Sequence, residues 1–74
     1  MGEMNRKRAN WAQEAMEAVP AFSRMMDPAE GGPYTATKDL LCDLMHFCDR
    51  EGIDFDEVLD AAKNLYDGEV ADDE

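Results

Sequence analysis

A chain of 74 residues with eighteen acidic and seven basic side chains carries a net charge of -11 and a pI of about 4.2. Its length allows one domain, and it falls short of the roughly 100 residues that most enzyme folds use to enclose a water-poor pocket. The charge disfavours direct binding to nucleic acid, where affinity comes from Lys and Arg on phosphates, and to an anionic membrane.

The acidity is uneven. Residues 1–26 hold four basic groups (Arg6, Lys7, Arg8, Arg24) and three acidic ones, a net of +1, whereas residues 27–74 hold three basic and fifteen acidic groups, a net of -12. The 45% apolar content, recurring at helical spacing, is that of a folded chain. No apolar run reaches the ~18–20 residues that span a bilayer, and the basic start has no apolar segment behind it as a signal peptide would. A cytoplasmic location is expected, and the two cysteines, few for a small secreted domain, agree with it.

The first periodic segment runs from about Asn5 to Val19. Trp11, Ala12, Ala15, Ala18, Val19 and Phe22 share a stripe of about 120° at 100° per residue, which predicts an amphipathic helix with a thin apolar face. Asn5 is its candidate N-cap. Arg6, Lys7 and Arg8 then fall in the first turn, where the helix dipole disfavours cations, so an acidic group of this or another chain is expected to compensate. Pro20 breaks the helix and can open a further short turn to Met26 as its first residue. The whole N-terminal helical segment is taken as residues 5–26.

Asp27-Pro28-Ala29-Glu30-Gly31-Gly32-Pro33 reads as a loop, taken as residues 27–34. The second helix is expected from Thr35 or Thr37 to Glu51, with Gly52 as its left-handed C′ residue. Leu40, Leu41, Leu44, Met45, Phe47 and Cys48 form its apolar face. Asp54 caps the third helix, Glu57 completes a capping-box-like pair, and Ile53 with Val58 makes a hydrophobic staple. Phe55, Val58, Leu59, Ala62, Leu65 and Tyr66 follow at helical spacing, and Gly68 is the expected stop. Residues 68–74 are then an acidic tail. The expectation is one all-α domain over residues 1–74: three short helices, the second and third forming a hairpin over 35–67 and the first packed across it. So small a core is marginal, and a homodimer that covers leftover apolar surface is one expected remedy.

Catalysis has little to rest on. There is one histidine, no Ser/His/Asp grouping and no phosphate-binding Gly-rich loop, so the chain is expected to be neither an enzyme nor a cofactor protein. Residues 52–57 resemble the end of an EF-hand loop. In that frame, however, His46, Cys48 and Arg50 fall where oxygen ligands are required, and Glu51 falls on the glycine. Cys42 and His46 lie four apart, but Cys48 is on the opposite face and cannot join them in a metal site. No metal is expected.

The positive feature is the acidic surface. Asp39, Asp43, Asp49, Glu51, Asp54, Asp56, Glu57 and Asp60 should stud the outer face and corner of the hairpin, either as a solvated exterior or as a site for a basic partner. An alternative site is apolar: Phe22, Met25, Met26 and Tyr34, serving a small dimeric regulatory or antitoxin-like module.

The run 39–50 (Asp-Leu-Leu-Cys-Asp-Leu-Met-His-Phe-Cys-Asp-Arg), then Gly52-Ile53-Asp54-Phe55-Asp56, Ala61-Ala62 and Tyr66, resembles a group of small acidic proteins encoded on bacteriophages and mobile elements of proteobacteria. The resemblance covers residues 38–67, with a similar Asn5-Arg6-Lys7-Arg8-Ala9 start, and departs between Pro20 and Pro33. It implies a helical fold and a mobile-element setting. By class it suggests an inhibitor of host machinery, such as an anti-CRISPR protein that acts as a DNA mimic. The partner expected is a basic surface of a host protein or nucleoprotein complex.

Overall fold

The computed structural model describes residues 2–72, and all regular structure among them is helical. There are four α-helices: α1 (Glu3–Glu17), α2 (Pro20–Met25), α3 (Gly32–Glu51) and α4 (Phe55–Asp72), with a 3-10 turn at Pro28–Glu30. The expectation of three helices is corrected by α2, which is separate from α1. Val19 is extended at φ -105° and ψ 117°, as a residue before proline prefers. Pro20 then supplies the fixed φ that suits a first helical turn.

The Pro/Gly segment is more ordered than a loop. Asp27 caps the 3-10 turn by accepting from the Ala29 N–H at 2.9 Å. Gly31 (φ 117°) and Gly32 (φ 78°) then reverse the chain into α3. Pro33 fits in the first turn of α3 because that turn needs no donor there. α3 accordingly starts at Gly32, ahead of either threonine.

Burial follows an unexpected row. Among the described residues, only Gly32, Ala36 and Cys48 are buried, Ala36 completely. Gly32 and Ala36 stand one turn apart at the start of α3, the helix that α2 contacts most. The wide apolar face of α3 is mostly uncovered: Leu41, Leu44, Met45 and Phe47 are 41–50% exposed. α1 buries nothing, and Trp11 on its expected inner stripe is 56% exposed. The expected packing of the first helix across the others thus has no buried residue of α1 behind it.

The connection from α3 to α4 is built as the sequence requires. Gly52 takes the left-handed conformation at φ 70° and ψ 28°. Its N–H donates to the Asp49 carbonyl at 3.4 Å, and the Ile53 N–H donates to the Cys48 carbonyl at 2.9 Å, the paired bonds of a Schellman motif. Asp54 Oδ1 accepts from the N–H groups of Asp56 (2.9 Å) and Glu57 (3.4 Å), capping α4. α4 runs through Gly68 to Asp72, so most of the expected tail is helix; residues 73–74 lie outside the described residues.

The molecule is a slab of 35 × 32 × 17 Å. Its radius of gyration is 13.9 Å, against about 11 Å for a compact domain of this length. Its accessible surface is 5791 Å², where a compact 8.3 kDa monomer exposes about 4,600 Å².

Candidate functional site

Seven of the eight acidic residues fall into two rows and one corner, with Asp56 shared between a row and the corner, and Asp49 stands apart. Asp39 and Asp43 are one turn apart on α3, on the side away from Leu41 and Met45. His46 and Arg50 continue that row, so it ends in a cation. Asp49 lies on another edge of α3, beside the apolar face. On α4, Asp56 and Asp60 form a second row, to one side of the Phe55–Leu59–Ala62 face. All eight are exposed except Asp39, which is half-buried.

The corner is the best-defined part. Asp54, Asp56 and Glu57 meet at the N-terminus of α4, with the Asp54 carboxylate bonded to the backbone of the other two. Three negative charges there offset the positive end of the helix dipole. Glu51 is ion-paired with its neighbour Arg50 (3.4 Å), and the Arg50 guanidinium lies over the Phe47 ring at 5.1 Å from its centre. The Asp54 and Glu51 side chains are thus engaged locally, and the rows at Asp39–Asp43 and Asp56–Asp60 carry exposed or half-buried carboxylates.

The four residues of the alternative apolar site differ in exposure. Phe22, Met25 and Met26 are half-buried, and of the four only Tyr34 is well exposed, at 80%. Further uncovered apolar surface lies on α3, on α4 at Val58, Leu65 and Tyr66, and on α1 at Met4 and Trp11.

Sequence reasoning missed the junction between the start of α1 and the end of α4. Asn5 is inside α1, not at its cap, and its side-chain amide donates to the Glu69 carbonyl at 3.2 Å. Arg8 Nε pairs with Glu69 Oε2 at 2.5 Å. This contact supplies part of the compensation expected for the basic triplet; Arg6 and Lys7 are exposed. A cleft of about 390 Å³ lies between the two helix ends, lined by Gly2, Asn5, Arg8, Ala9, Tyr66, Glu69 and Val70. The signal for the junction was charge: cations at a helix start and anions at a helix end are each misplaced on their own dipole and well placed against each other.

Cys42 and His46 are exposed and Cys48 is buried. Among the described residues, no three His, Cys, Asp or Glu side chains gather closely enough to hold a metal ion. No helix among them is long and apolar enough to cross a membrane.

No protein-family model, curated protein or solved structure matches the chain.

Proposed function

We propose that this chain is a non-enzymatic protein-binding module whose acidic rows engage a basic surface of a host protein or nucleoprotein complex. In this reading α3 and α4 act as a helical hairpin that presents Asp39–Asp43 and Asp56–Asp60 outward. The observation that carries it is the net charge of -12 in residues 27–74, displayed mainly on exposed carboxylates. Such a surface raises the encounter rate with a cationic partner and fixes its orientation. A basic surface that ordinarily holds nucleic acid is the natural target. The module would then be an inhibitor by competition, as an anti-CRISPR or similar anti-defence protein is. The mobile-element resemblance of residues 38–67 points the same way.

The test is capture of host nucleic-acid-binding proteins on the immobilised full chain, beside a variant carrying D39N, D43K, D56K and D60K. Asp39 is only neutralised because it is half-buried. The expected partner is retained by the native chain, displaced by competing nucleic acid, released by about 0.5 M salt, and absent from the variant. Equal capture by both chains, unaffected by salt, rejects the electrostatic reading. Circular dichroism of the variant checks that its helices persist.

A further inference from the structure

We infer that the exposed stripe of α3 is a self-association face, and that a second copy of this chain packs against it antiparallel about a two-fold axis near residue 43. The inference is independent of the acidic-partner reading.

The monomer has surface to give. It exposes about 1,200 Å² more than a compact chain of its mass, and a standard interface takes about 800 Å² from each partner. Much of the uncovered apolar surface is on α3. Tyr34, Lys38, Leu41 and Met45 recur at i, i+4, i+7 and i+11, a stripe within about 60° of arc. The three apolar members are 45–80% exposed. Side chains of this size left in water on a helix of 20 residues form the kind of seam that one further helix covers.

The charges on this stripe select the occupant. Lys38 lies toward one end, and Asp49, on the same edge, toward the other. Both are exposed, and among the described residues neither is in an ion pair. An antiparallel two-fold keeps equivalent edges together and reverses their order. With its axis near residue 43, each Leu41 faces Met45 of the second copy, and each Lys38 faces its Asp49. The face is therefore complementary to itself in both shape class and charge. On a chain with three basic residues among its last 48, a lysine at the edge of an apolar seam is otherwise a cost to it.

Sedimentation equilibrium of the full chain at about 100 μM tests the assignment. The expected mass is twice 8.3 kDa. The double variant Leu41→Asp, Met45→Asp should sediment as a monomer with native helical content. Lys38→Asp, an exposed change that leaves folding intact, should weaken the dimer about tenfold, and Lys38→Asp with Asp49→Lys should restore it. A native chain that is monomeric at this concentration overturns the inference, as does a dimer that the Asp pair leaves intact. A dimer weakened by K38D and not rescued by D49K overturns the antiparallel register.

Discussion

The α3–α4 turn and the α1–α4 junction join helices by opposite means. At the turn, Gly52, Ile53 and Asp54 satisfy the free backbone groups of two helix ends with bonds between near neighbours in sequence. Little loop entropy is spent, and no distant residue is needed. At the junction, residues more than sixty positions apart meet where the side chains of Asn5 and Arg8 reach Glu69, beside a cleft of about 390 Å³. No apolar side chain of α1 is buried to hold the contact. Chemistry between chain neighbours builds a connection in so small a protein, whereas distant elements need burial that this chain does not supply. The junction should open first under any perturbation, and the locally built connections should fail only when their own residues change.

The strongest way to break this contrast is Gly31→Ala. Gly31 belongs to a second locally built reversal, and its φ of 117° is closed to residues with a Cβ. A Cβ there would also sit 2.7 Å from Thr35 Cβ. The expected cost is about 2 kcal/mol or more, read as a loss of cooperative thermal melting by circular dichroism. Asp54→Ala removes the two cap bonds at the start of α4 and should cost about 1 kcal/mol. Its effect should be confined to stability, with the sedimentation mass at high concentration the same as that of the native chain.

The same contrast explains what the sequence could announce. Asp54 and Gly52 were legible because a cap and a left-handed residue act within a few positions of themselves. The apolar periodicity of residues 39–50 identified α3, but not what covers it. Leu41, Leu44 and Met45 read as core, while the packing centre is Gly32 and Ala36. Those two have almost no hydrophobic signature, so apolar periodicity does not single them out. Pro33 and the paired glycines suggested a loop because their composition does not reveal that they fall in a helix's first turn. The Asp39–Asp43 and Asp56–Asp60 rows were readable as helical spacing. Their placement on two helices followed from the same spacing, whereas the half-burial of Asp39 and the pairing of Arg50 with Glu51 required the fold.

Gly68→Ala sharpens the comparison with the opposite sign. Gly68 lies inside α4, and a Cβ there meets nothing within 4 Å. The substitution removes backbone freedom from the unfolded chain and should stabilise the protein by about 0.5–1 kcal/mol. The gain should appear as a higher melting temperature and as slower amide exchange in residues 66–72, the side of the junction that Glu69 holds.

The smallest expected effect is the most informative about the junction. Arg8 and Glu69 are 40% and 20% exposed, so solvent screens their pair and Arg8→Ala should cost less than about 1 kcal/mol. Global melting should barely move. If the junction is the weak link, amide exchange along residues 6–17 should accelerate severalfold while residues 36–50 keep their protection. Added salt should produce the same local pattern in the native chain, because it weakens the same contact. Equal acceleration in both regions would mean that α1 is held by the body of the fold, and the contrast between the two connections would fail.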